Sequence, residues 1–170
     1  MTKKISTEDL IKKIERLTKQ RMAEQPVVNL GEFRGAQKKM HPHTILIIED
    51  DETQRLSLKR ILETDGYQTL LAADSAEFTA VLDQDRDVHL IIMDVGLPWI
   101  NGFELAQMLK EHRDLKKIPL IFLSGQAESE DFDKAREVGA ADYIKKPFDI
   151  EKLRHRVDEL LTHPKNELAC

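Results

Sequence analysis

Four clusters in this sequence combine residue types that do chemistry: Glu49-Asp50-Asp51, Asp94, Ser124-Gly125 and Lys145-Lys146-Pro147. Carboxylates brought together repel one another unless something positive lies between them. A hard divalent cation meets that need, and Mg2+ typically takes only one or two protein carboxylates, with waters and a phosphate completing its octahedron. Ser124 supplies a hydroxyl able to hydrogen-bond a phosphoryl oxygen, and Gly125 beside it leaves room. An ammonium fixed ahead of a proline is suited to neutralise the charge gained when a carboxylate becomes an acyl phosphate. Singly, each cluster has an ordinary reading. Paired acids make a solvated turn, an Asp after an apolar run caps a helix, and Lys-Lys-Pro is a charged loop. Their order along the chain is what points to a site.

Each cluster closes a short apolar or β-branched run. Strands are predicted over Thr44–Glu49, Gln68–Ala72, Val88–Met93, Leu120–Ser124 and Asp142–Lys145, each followed by an amphipathic helical stretch. The runs ILII, LIIM and LIFL are apolar at every position, as parallel strands covered by helices on both faces require. In the last helical stretch Ile150, Leu153, Val157, Leu160 and Leu161 recur at helical spacing between charged residues. Asp74 precedes the second helix as a cap, and Gly66 and Gly139 stand near helix ends. Alternating units of this kind predict an α/β fold, a doubly wound (βα)5 sandwich on a five-stranded parallel sheet. Its site lies at the carboxyl ends of the strands, with the clusters ending strands one, three, four and five.

The chain has 170 residues and a net charge of −5, which argues against wholesale binding to nucleic acid. No apolar run approaches the roughly 20 residues needed to span a bilayer, and the N-terminus has no apolar core behind its lysines, so neither a membrane segment nor a secretory signal is expected. Cys170 has no partner in the chain, which fits a reducing compartment, and a cytoplasmic location is expected. The composition changes near His41. Residues 1–42 read as an N-terminal helix and linker, 43–162 as the folded domain, and 163–170 as a tail. In the arm, Glu8/Lys12, Asp9/Lys13 and Glu15/Lys19 are helix-favouring pairs, and Leu10, Ile11, Ile14 and Leu17 form a narrow apolar stripe. A helix that short is marginal alone. It is expected to dock on its own domain or on a second copy in a homodimer. His41-Pro42-His43 lacks a nearby third metal ligand, Lys38-Lys39 and Lys116-Lys117 read as solvated charges, and Trp99 reads as a loop-packing residue.

From Thr44 to about Leu161 the sequence resembles the receiver domain of two-component response regulators, in ILIIEDDE, LIIMDVGLPWINGFEL, PLIFLSG and GAADYIKKPF at the family's spacings. The resemblance implies a flavodoxin-like sheet of order 2-1-3-4-5. It makes Asp94 the phosphoacceptor and Glu49 and Asp50 the acid pair for Mg2+, with Asp50 the direct ligand and Glu49 acting mainly through water. It adds the backbone carbonyl of Gly96 as a further ligand, Ser124 as the switch hydroxyl, Lys146 rather than Lys145 as the site lysine, and Tyr143 as an aromatic that moves between exposed and buried positions. Glu49 replaces a commoner Asp, Asn101 stands where Asp often precedes the Gly102 turn, and Ile100 replaces a frequent Met; none of these removes a reactive group. Gly96 and Gln126 occupy positions that in the family influence attack of water on the acyl phosphate.

The resemblance thus implies a response regulator phosphorylated by a sensor histidine kinase or phosphotransfer protein. It would be no enzyme toward external substrates, catalysing only its own phosphorylation and dephosphorylation. Few residues follow Thr162, so the expected output is contact with a downstream protein rather than direct DNA binding. One alternative is a non-phosphorylated scaffold of the same fold, against which the intact acid pair, Asp94, Ser124 and Lys146 all count. Another is an aspartyl-phosphate phosphohydrolase, which usually needs a second acidic residue two positions after the nucleophile, where this sequence has Gly96.

Overall fold

The computed structural model describes residues 10, 12, 43–84, 86–125 and 129–162. Five strands, β1 (Thr44–Ile48), β2 (Gln68–Ala72), β3 (Leu90–Asp94), β4 (Leu120–Ser124) and β5 (Asp142–Lys145), alternate with α1 (Glu52–Thr64), α2 (Ser75–Asp83), α3 (Gly102–Glu111), α4 (Ser129–Glu137) and α5 (Ile150–Thr162). All strand pairs are parallel, in the order β2-β1-β3-β4-β5.

β1, β3 and β4 are buried at every position, as their unbroken apolar runs require, while the edge strands β2 and β5 are partly open. Because strand residues alternate between faces, the sheet divides its side chains into two layers. Leu46, Ile48, Met93 and Phe122 meet Phe78 of α2, Leu105 and Leu109 of α3 and Ala135 of α4. Ile45, Ile47, Ile92 and Leu123 meet Leu58 and Leu62 of α1 and Leu153, Val157 and Leu160 of α5. Each fully buried side chain of this size contributes about 1.5–3 kcal/mol. Ile150, counted with that face in the sequence, starts α5 and is 46% exposed.

Leu10 is helical, 2% exposed and part of the layer under α2, α3 and α4, whereas Lys12 is helical and exposed. The rest of the arm, its linker, Gln126 and the tail from 163 lie outside the described residues.

Two strand boundaries differ from expectation. β1 stops at Ile48 rather than Glu49, and β3 runs over Leu90–Asp94 rather than Val88–Met93. The Thr44 N–H donates to His89 Nδ1 at 3.1 Å while the His89 N–H donates to Thr44 O at 2.9 Å. The His89 ring thus occupies the place of a ladder partner, and Cα pairing begins with Leu90 opposite Ile45. At the far end Val95 N–H bonds Leu123 O at 3.0 Å, which keeps Asp94 inside the ladder. Gly66 and Gly139 follow α1 and α4 with φ of 89° and 72°, a conformation that disfavours residues with a Cβ.

Candidate phosphoacceptor site

The register sets Ile48 opposite Met93, Asp94 opposite Leu123 and Ser124 opposite Lys145, so four strand ends finish level with one another. Glu49 extends past β1 with its N–H held by Ala72 O at 3.1 Å. Asp94 ends β3 and Ser124 ends β4, and all three are buried. Lys146 follows β5, its N–H held by Ser124 O at 2.7 Å. Its ammonium donates to Glu49 Oε2 at 2.7 Å and to Asp94 Oδ1 at 2.8 Å. The second oxygen of Asp94 accepts the Gly96 N–H at 2.9 Å, and Glu49 Oε1 accepts the Asp51 N–H at 3.2 Å.

Carboxylate oxygens of Glu49, Asp50 and Asp94 lie within 4.8 Å of one another, with Asp50 exposed. That donor set fits a hard cation such as Mg2+. Asp51 takes no part: its carboxylate caps α1 by accepting the Gln54 N–H at 2.8 Å. Burial outweighs the pull of Lys146 and raises Glu49 above its ordinary value of 4.5. For Lys146 burial acts downward, but its hydrogen bonds to Asp94 and Glu49 prevail and hold it above 10.5.

The family model for the response regulator receiver domain matches residues 45–158. The chain belongs to this family. It is 41% identical over 125 residues to the aerobic respiration control protein ArcA of Escherichia coli K12, an alignment that covers 74% of this chain and 50% of ArcA. The chain therefore spans about half the length of that relative. It is 32% identical to the two-component response regulator ORR3 of Oryza sativa subsp. indica, covering 68% of this chain and 90% of ORR3. Among solved structures, it is similar to the signal receiver domain of a signal transduction histidine kinase from Syntrophus aciditrophicus, with 38% identity, a TM-score of 0.65, and coverage of 75% and 96% of the two chains.

In this receiver domain Tyr143 is buried, and its hydroxyl shares a hydrogen bond with Ser124 that opposes the upward effect of burial on its pKa. Its ring lies 4.7 Å from Phe132 on α4, which is 48% exposed, and 6.5 Å from Phe103 on α3. A groove of about 850 Å³ runs from Asp94, Gly96 and Ser124 between α3 and α4, past Gln107 and Lys134. Trp99 packs as a loop residue, its ring 6.2 Å from Phe78.

The sequence reading named Gly102 only as a turn and did not single out Arg55. A Cβ on Gly102 would stand 2.8 Å from both Asp94 O and Val95 Cα, so only glycine lets α3 begin against the strand end. Arg55 donates from Nη1 to Glu49 O at 2.8 Å and to Asp50 O at 3.1 Å. Its signal in the sequence was a cation at the start of α1, where the helix dipole disfavours one.

Proposed function

We propose that this receiver domain accepts a phosphoryl group on Asp94 from a sensor histidine kinase or a phosphotransfer protein, with Mg2+ bound, and signals by altering its protein contacts. The observation that carries the reading is the Lys146 ammonium bridging Asp94 Oδ1 and Glu49 Oε2. A surface lysine would reach water; this one is spent on the carboxylate whose charge changes in the reaction.

In the reaction an Asp94 carboxylate oxygen forms a bond to phosphorus while the bond from phosphorus to the donor breaks, its electron pair leaving with the donor. The Gly96 N–H and Lys146 hold the Asp94 carboxylate in place before the bond forms. Lys146 then offsets the charge gained in the acyl phosphate. Glu49, Asp50, Asp94 and the Gly96 carbonyl would hold Mg2+, which when bound neutralises charge on the phosphoryl oxygens.

Ser124 ends the neighbouring strand and donates its hydroxyl to a phosphoryl oxygen. That engagement competes with the bond it shares with Tyr143. Tyr143, in contact with exposed Phe132, relays the change to the α4 surface, where a downstream protein binds. No external substrate is turned over and no direct DNA contact is expected from these residues. Among the described residues no helix is long and apolar enough to cross a membrane.

The test is incubation with acetyl phosphate and Mg2+, with labelling followed by mass. Chelation should prevent labelling, and Lys146→Met should slow it by at least about a hundredfold. Equal labelling in the presence of chelator, or a wild-type rate in Lys146→Met, would contradict the reading.

A further inference from the structure

Glu49 and Asp50 stand on a turn that belongs to neither β1 nor α1. Its entrance is fastened by Glu49 N–H to Ala72 O at 3.1 Å, and its exit by the Asp51 cap on Gln54 N–H at 2.8 Å. Between them the carbonyls of Glu49 and Asp50 both accept from Arg55 Nη1, at 2.8 and 3.1 Å. The geometry points to Arg55 as a positioning residue that fixes this turn, so that the Glu49 and Asp50 carboxylates converge with Asp94 on a divalent cation. The inference rests on the Mg2+ reading above and adds a residue to it.

Arg55 bonds the backbone carbonyls of the two acids, and the carboxylate oxygens of Glu49 are held instead by Lys146 and the Asp51 N–H. It therefore orients the ligands without competing for them. A planar guanidinium nitrogen with two hydrogens can hold two neighbouring carbonyls at once. Helix preference does not account for the placement, because a cation at the start of α1 opposes the dipole.

The role has a sign that separates it from simple electrostatics. As a mere charge near a cation site, Arg55 repels Mg2+, and its removal strengthens binding. As a brace it strengthens binding, and its removal weakens it. Partners that orient metal ligands typically change affinity roughly ten- to a hundredfold when removed.

Mg2+ binding to the full chain is measured by calorimetry for wild type, Arg55→Met and Arg55→Lys, alongside melting temperatures without metal. Lys retains the charge but ends one bond short of the guanidinium nitrogens. The expected result is weaker Mg2+ binding in both variants, by about tenfold or more in Arg55→Met and by less in Arg55→Lys, with metal-free melting close to wild type. Unchanged or tighter binding in Arg55→Met overturns the inference, whatever happens to its melting temperature. If that variant does not fold, wild-type affinity in Arg55→Lys overturns it instead. A wild type that binds no Mg2+ overturns both this inference and the reading beneath it, whereas wild-type binding with indifferent variants overturns this inference alone.

Discussion

Lys146 neutralises two carboxylates that crowd one buried site. Replacing it by Met keeps the aliphatic stem and removes the charge, leaving Glu49 and Asp94 to repel each other. Stability at neutral pH should fall by roughly 3 kcal/mol, at the low end of the cost of breaking a largely buried pair from one side. The pH dependence follows from the raised lysine. A group whose folded value lies above its unfolded one contributes fully below the unfolded value, and the contribution is lost as pH rises through the folded value. The melting-temperature gap between wild type and Lys146→Met should therefore hold through neutral pH and close only above 10.5. A gap that closes near pH 7 would contradict the assignment. Asp50 offers a complementary test because its exposed carboxylate belongs to the acid cluster. Mg2+ should raise the wild-type melting temperature by mass action, and Asp50→Ala should blunt that rise; an equal response in the variant would remove Asp50 from the ligand set.

At the level of elements, the start of α3 and the end of β3 are fitted to each other through Gly102. In Gly102→Ala the new Cβ meets backbone at 2.8 Å, which cannot swing aside as a side chain would. The variant should lose about 1–3 kcal/mol and label more slowly, because relief of the clash displaces the Asp94–Val95 backbone. Wild-type stability and labelling in a soluble variant would contradict that fit. The sheet itself was legible because the runs ILII, LIIM and LIFL within β1, β3 and β4 are apolar at every position, as parallel strands covered on both faces require. Glu49, Asp50, Asp94, Ser124 and Lys146 were legible because each ends or follows a strand, where local sequence fixes position; choosing Lys146 over Lys145 rested on the family resemblance. The start of β3 was missed because it depends on the His89 side chain bonding Thr44 across 45 residues. Arg55 was missed because its partners are backbone carbonyls, which leave no mark in residue types. The Phe103, Phe122, Phe132 and Tyr143 cluster joins four different elements and has no short-range pattern.

For the whole molecule, the arm meets the receiver through Leu10. Leu10 lies buried in the layer under α2, α3 and α4, so at least one arm residue shares the receiver's core. Neither of the two described arm residues, Leu10 and Lys12, is among the groups that surround Asp94. A chain beginning at Lys39 should therefore fold and label at a similar rate, but melt several degrees lower, since burying a leucine contributes about 1.5–3 kcal/mol. Leu10→Asp in the full chain should reproduce that loss, and light scattering shows whether either form changes its oligomeric state. Melting unchanged in both would show that the arm adds nothing to stability, and failure to label after truncation would make the arm part of the site's support.

The central claim is that Asp94 is the phosphoacceptor, and intact-mass measurement after incubation with acetyl phosphate and Mg2+ tests it most directly. The wild type should gain one phosphoryl group, and Asp94→Asn, which keeps the size of the side chain but removes its nucleophilic carboxylate, should gain none. Undiminished labelling of Asp94→Asn would contradict the account.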